Sequence, residues 1–212
     1  MTQRWLVVRP SEDITVRSEP GTPAGSTGAD APGVAQFRHG LVSGPFTLHD
    51  GTAVAIRSIR PDDEPAMVHF HESLSDQSVY LRYFHPLKLG VRVAHERLER
   101  ICHVDPAHEM VLVAERAGPT GGDIVAVGRL TRQQAGRDAE FAIVVSDAAQ
   151  GQGLGTEMLT RLVAGGRQAG LARITGEILP ENRAMQAVCE RIGFTRAYLG
   201  TEGLVHAELD LG

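Results

Sequence analysis

The chain has 212 residues, 42% of them hydrophobic and 22% charged, which is enough to bury a core and excludes a wholly disordered or collagen-like polymer. Its 21 basic and 26 acidic side chains leave a net charge of −5, which argues against a role coating nucleic acid. Cys102 and Cys189 are the only cysteines, too few for a disulfide framework or a four-cysteine zinc site, so a reducing cytoplasm is the expected compartment. No run approaches the roughly 18 apolar residues of a membrane helix, and no signal peptide or membrane anchor is expected at the start.

The first 45 residues are expected to be an N-terminal arm. Trp5 to Arg9 suits a short strand or a loose terminus, and Ser18 to Pro45 is rich in Pro and Gly with few bulky apolar side chains, so it buries too little to offset its ordering entropy. The body is expected from Phe46 onward. Asp50-Gly51 between two β-prone runs predicts a hairpin with a type I′ turn, its second arm running from Thr52 to Ile59. Pro61-Asp62-Asp63-Glu64 then opens a helix to about Leu74, Ser75 caps a second ending before Pro86, and His95 to Cys102 is a third.

Met110–Glu115 and Ile124–Leu130 predict two antiparallel strands, and Ala139–Val145 a further one. A glycine-rich turn follows, and Met158, Leu159, Leu162 and Val163 recur at helical spacing from Thr156 toward Gly170. Ala172–Leu179 is expected as a strand, Asn182–Ile192 as a helix, and Phe194–Leu199 with Leu204–Leu211 as closing strands. The order predicts a mixed α+β domain over 46–212, a mostly antiparallel mixed sheet flanked by helices.

Chemistry concentrates in Gln150-Gly151-Gln152-Gly153-Leu154-Gly155-Thr156, between a strand and a helix. Closely spaced glycines let the backbone approach a ligand, and the amides of a helix's first turn converge with the positive end of its dipole on an anion such as a pyrophosphate. A P-loop is excluded, because no Lys follows Gly153 or Gly155. A dinucleotide fold is disfavoured, because the loop comes late, after a meander of strands.

This loop resembles the pyrophosphate motif (Arg/Gln)-x-x-Gly-x-(Gly/Ala) of the GNAT superfamily of acyl-CoA-dependent N-acetyltransferases, and Asn182 followed by Gly193-Phe194 resembles that superfamily's last helix and strand. Ile59-Arg60-Pro61-Asp62-Asp63, the stretch from Ser75 to Phe84, and Ala139-Glu140-Phe141-Ala142 are similar to the acetyltransferase domain of bacterial Pat-type protein lysine acetyltransferases. Those enzymes often carry a fused synthetase-like or cyclic-nucleotide-binding region, for which the first 45 residues offer no room, so their allosteric input is expected to be missing.

The resemblance implies acetyl-CoA as cosubstrate. It implies a cofactor site built from Ile143, Val144, Val145, Gln150, Gly151, Gln152, Gly153, Leu154, Gly155, Thr156, Asn182 and Cys189, with the Ile143 amide polarising the thioester carbonyl. Cys189 stands seven residues after Asn182, where many relatives carry the Tyr that protonates the leaving thiolate, so that thiolate would leave unaided or through water. Glu140 matches the family's glutamate base, and its apolar neighbours Ala139 and Phe141 would raise its pKa; the plainer alternative is a surface ion pair with Arg129 or Arg137. Tyr80, Arg82 and Tyr83 either line the acceptor groove or form an ordinary amphipathic helix.

No metal site is expected: His69 and His71 fall on different helix faces with no ligand cluster to complete a site. His85 and His108 are lesser alternatives for the base. The leading expectation is acetylation of lysine on a protein substrate by a monomer or homodimer, with no nucleic-acid or membrane partner. Acetylation of a small amine, and a non-catalytic acyl-CoA sensor, are the alternatives.

Overall fold

The computed structural model describes residues 35–38, 42–118, 121–133, 136–199 and 203–212, all within the unit Val34–Gly212. The strand expected at Trp5–Arg9 and most of the expected arm lie outside the described residues. Among the described residues, eight strands form one sheet in the order β1-β2-β3-β4-β5-β6-β8-β7: β1 Gly44–Thr47, β2 Ala53–Ser58, β3 Glu109–Gly118, β4 Gly121–Arg132, β5 Asp138–Val145, β6 Arg173–Ile178, β7 Thr195–Leu199 and β8 Leu204–Asp210. All neighbours pair antiparallel except β5 and β6, so the expected mixed sheet is the observed one.

The helices are α1 Glu64–Glu72, α2 Asp76–Tyr83, α3 Leu89–Arg92, α4 His95–Cys102, α5 Leu154–Gln168 and α6 Arg183–Ile192. The short α3 was not expected; a single turn holding Gly90 carries no helical periodicity to detect. β3 explains why the sheet must be covered on both sides. Met110, Leu112 and Ala114 point to one face and Val111 and Val113 to the other, and all five are buried. On the first face they join Met158, Leu159 and Leu162 of α5; on the second they join Met67 and Phe70 of α1 and Leu98 of α4.

Phe37 and Val42, which the sequence assigned to the arm, are 3% and 4% exposed and belong to the α5-side core. Phe37 stacks under the Arg132 guanidinium at 4.8 Å, and its amide donates to the Pro106 carbonyl. Packing of the body therefore begins upstream of Phe46.

The β1–β2 hairpin is where it was expected, with a different turn. Gly51 donates to the Leu48 carbonyl at 2.9 Å, and within the turn only Gly51 has positive φ, +89°. A type I′ turn would need positive φ at two residues of a two-residue loop; here Leu48 donates its amide to the Thr52 carbonyl at 2.8 Å around a three-residue loop, His49–Gly51, closed by a left-handed glycine.

Candidate active site

β5 and β6 pair through only three residues: Asp138 with Arg173, Ala139 with Ile174, and Glu140 with Thr175. Beyond Glu140 the strands part, although β5 runs on to Val145 and β6 to Ile178. Phe141 and Gly176 follow immediately. The Phe141 ring lies across Gly176, where a Cβ would stand 2.3 Å from Phe141 Cε1, and it meets Phe194 edge-on at 5.4 Å. The ring fills the space that a side chain at position 176 would occupy.

The parting leaves one edge of β5 open. Ser146 donates its amide to the Val125 carbonyl on β4, so the alternation of a strand turns Ile143 and Val145 toward the gap. The Val145 carbonyl accepts from the Gln150 side chain at 3.0 Å.

Where β5 ends, the chain passes a single 3-10 turn at Asp147–Ala149 and enters α5 through the glycine loop. Gly151 and Gly153 sit at φ +72° and +86°, and no side chain caps α5. Among the described residues no backbone carbonyl outside the helix ladder takes the amides from Gly151 to Thr156, so a helix of 15 residues presents its first turn to whatever lies in front of it.

What lies in front is a cleft of about 380 Å³. Its walls come from β5 (Ile143, Val144, Val145), the loop and α5 (Gln150, Gly151, Gly153, Gly155, Thr156), α6 (Asn182, Ala184, Met185, Ala187, Val188, Arg191), α2 (Ser78, Leu81, Arg82), Ala149 and His49. No Asp or Glu is among these residues, whereas His49, Arg82 and Arg191 are. Unpaired amides, two guanidiniums, an imidazole and an apolar floor suit a ligand with an anionic end and a neutral arm, as coenzyme A is.

Of the residues expected at the cofactor, Ile143, Val144, Val145, Gln150, Gly151, Gly153, Gly155, Thr156 and Asn182 line this cleft. Leu154 turns its side chain into the core and can contribute only its amide. Gln152 is not in the wall; its carbonyl accepts the His49 amide at 3.2 Å. Cys189 is fully buried in the core and away from the cleft, and burial pushes its thiol up to about 12. Asn182 also caps α6, its Oδ1 accepting from the Met185 amide at 3.1 Å.

Gln150 does more than border the cleft. Its amide donates to Ser78 Oγ at 2.9 Å, and Ser78 Oγ donates to Asp147 at 3.0 Å. Asp147 also accepts from the Ser75 hydroxyl and amide at 2.6 and 2.9 Å. The start of α2 is thus fastened to the glycine loop. Burial works to raise the Asp147 pKa, but the bonds from Ser75 and Ser78 outweigh it and hold the carboxyl below the usual range.

Glu140, like His85 and His108, is not among the residues of the cleft wall; it stands half-buried at the last β5–β6 pair, three residues before Ile143, which is in that wall. It accepts from Gln133 Nε2 at 2.9 Å, while Arg129 pairs with Glu109 and Arg137 donates to the Gly170 carbonyl, so the surface ion pair is not its arrangement. Burial pushes its carboxyl up, against the lowering influence of Arg82, Gln133, His206 and Arg129. Of the three α2 residues expected at the acceptor, Arg82 reaches the cleft. Tyr83 is 8% exposed, sits in the second core cluster and lies under Arg82 and Arg97, so it is a core residue rather than part of a groove. Tyr80 is half-buried and outside the cleft wall. His108 pairs with Asp105 on the surface and is not among the cleft residues; nor is His85.

Sequence reasoning missed His49, Arg191 and the apolar α6 residues of the wall. Arg191 had a signal, since it lies two turns along the helix that Asn182 caps, on the side facing Thr156, whose hydroxyl is 3.4 Å from its Nη1. His49 had none, because only the fold brings the hairpin tip beside the loop.

Residues 54–195 match the family model described as the acetyltransferase (GNAT) domain, and the chain belongs to that family. The GNAT domain of S. lividans PAT is 31% identical, with a TM-score of 0.72, covering 81% of this chain and 98% of that one. Acetyltransferase Pat of Mycolicibacterium smegmatis is 26% identical over 170 residues, 79% of this chain, and the chain spans about half the length of that relative, 48%. Mycobacterium smegmatis RimJ, solved in complex with CoA-disulfide, shares the fold with a TM-score of 0.61 at 21% identity, covering 79% of this chain and 86% of that one. The chain thus belongs to a family of acetyltransferases whose cosubstrate is acetyl-CoA.

Proposed function

We propose that this protein transfers the acetyl group of acetyl-CoA to the ε-amine of lysine on protein substrates, by direct attack within a ternary complex. The observation that carries the reading is the position of Glu140 at the last β5–β6 pair, beside a gap whose other end opens on the glycine loop.

When bound, acetyl-CoA supplies an activated acetyl group as a thioester. The loop amides and the α5 dipole, with Arg191 nearby, hold the diphosphate; the open edge of β5 holds the pantetheine arm. The Ile143 amide is oriented to donate to an oxygen on which negative charge builds, and one such donor is typically worth about 3 kcal/mol.

Lysine arrives at neutral pH as ammonium, and releasing the neutral amine from a pKa of about 10.4 costs roughly 4 to 5 kcal/mol. Glu140 collects that proton. Burial keeps its carboxyl more basic than usual, while Gln133 fixes its orientation. Buried Cys189, its thiol raised to about 12, does not reach the leaving group, which departs as thiolate or takes a proton from water.

The preference for lysine on proteins over small amines rests on the likeness to the Pat domain. The protein is to be incubated with isotopically labelled acetyl-CoA and either a whole-cell protein extract or a panel of polyamines, amino acids and aminoglycosides. Label on lysines of the extract supports the reading, and label only on small amines overturns it. Lys88, the chain's single lysine, is the internal control for self-modification.

A further inference from the structure

The tip of the β1–β2 hairpin rests on the glycine loop. The His49 amide donates to the Gln152 carbonyl at 3.2 Å, and the imidazole belongs to the wall of the cleft. Gly153 lies directly beneath it: a Cβ there would stand 2.8 Å from His49 Nε2 and 3.2 Å from Cε1. Gly153 is therefore required twice, for its φ of +86° and for the space that the imidazole takes. A loop that needed only a tight bend would leave that space open, as at Gly151, where nothing stands within 4 Å of a Cβ.

On the opposite flank, Arg191 from α6 reaches Thr156 in the first turn of α5. The loop amides thus lie between an imidazole and a guanidinium contributed by elements at opposite ends of the domain. The acidic groups of the hairpin turn, α5 and α6 are engaged elsewhere: Asp50 accepts from the Thr52 amide of its own turn, Glu157 pairs with Arg161 at 2.7 Å, and Glu190 pairs with Arg196 at 3.3 Å. His49 lies upstream of residues 54–195, so the segment matched by the family model does not contain it.

We propose that His49 is a further ligand of coenzyme A, its Nε2–H donating to an oxygen of the diphosphate while the loop amides and Arg191 hold the remainder. The inference rests on the reading that this cleft takes coenzyme A. It makes the hairpin a second clamp on the cosubstrate, delivered by a turn whose left-handed Gly51 and bond to Gln152 fix the histidine over Gly153.

Calorimetric titration of coenzyme A and of dephospho-coenzyme A into the wild type, His49→Ala and His49→Gln tests it. His49 is exposed at a turn, so the variants are expected to melt with the wild type, and the melting curve checks this. His49→Ala is expected to lose about five- to tenfold in affinity for both ligands, less than a buried bond to a charged group would cost because the imidazole is exposed to water, while His49→Gln, which keeps a donor, stays within about threefold. Affinity of His49→Ala within twofold of wild type overturns the proposal. A loss seen with coenzyme A and absent with dephospho-coenzyme A overturns the diphosphate assignment, because the contact then lies at the 3′-phosphate. Absence of binding by the wild type itself defeats the functional reading instead, so the two failures are separate.

Discussion

Glu140 and Thr175 are the last residues to pair between β5 and β6, and Phe141 and Gly176, immediately beyond them, meet as a ring laid over a glycine. Strand pairing, and with it the protected edge of β5, stops at the residue proposed to act as base. That large-against-small contact marks where the gap begins.

Gly176→Val is therefore expected to destabilise the protein by about 1 to 3 kcal/mol, since any side chain there must displace the Phe141 ring from a packed core. Urea denaturation measures it. Stability equal to wild type would show that the Phe141 ring moves aside freely.

Glu140→Gln is expected to bind coenzyme A as the wild type does and to lose roughly 10²- to 10⁴-fold in kcat with a protein substrate, the range for removal of a general base. Because burial raises the Glu140 pKa, the acid limb of the wild-type kcat/KM profile should lie above the ordinary carboxylate range. The stability sign runs opposite to activity. A carboxyl with a raised folded pKa binds its proton more tightly when folded, so its contribution is full below the unfolded pKa and is lost as pH rises through the folded one. The Gln variant should thus melt slightly higher than wild type at neutral pH, and an unchanged kcat would remove Glu140 from the mechanism.

Much of this was legible in the chain. The glycine loop, Asn182 and Gly193-Phe194 mark the ends of the helices they bound, because caps and left-handed residues are local chemistry: Asn182 caps α6 and Gly193 ends it at φ +103°. The unbroken apolar runs at Met110–Glu115 and Ile124–Leu130 on either side of a glycine-rich turn marked two strands, and the spacing on α5 marked the long helix. What was not legible depends on contacts between distant segments. Tyr83 carries the same helical spacing whether it faces a groove or a core, and only the cluster it joins, with Arg97 of α4 over its ring, shows that it is core. Phe37 and Val42 sit in a Pro- and Gly-rich stretch whose composition conceals two anchor residues. His49 required knowledge that a hairpin tip and a loop about a hundred residues later in the sequence meet.

Asp147→Ala removes the acceptor for Ser75 and Ser78 and unfastens α2 from the glycine loop. A cost of about 1 to 2 kcal/mol is expected, below the sum of three bonds to a charged group because the carboxylate is well exposed to water. The Asp147 pKa is lowered, so its contribution is present above the unfolded carboxylate pKa and fades as pH falls through the folded one. The gap in melting temperature between wild type and variant should narrow on acidification; a constant gap would mean that the ionised carboxylate is not what holds α2.

Phe37→Ala is expected to cost about 3 kcal/mol, the lower end for emptying a buried aromatic site, because the side chain fills the α5-side core beneath Arg132. A loss under about 1 kcal/mol by thermal denaturation would place the structural start of the body after this residue.

The account depends on the cleft in front of α5 receiving coenzyme A. Equilibrium dialysis of the intact protein against radiolabelled coenzyme A measures this without any assumption about the acceptor. Saturable retention of one molecule per chain, displaced by unlabelled acetyl-CoA and weakened at least about tenfold by Gly153→Val, is the predicted result. Retention no greater than that of an unrelated protein, or retention indifferent to Gly153→Val, would contradict it.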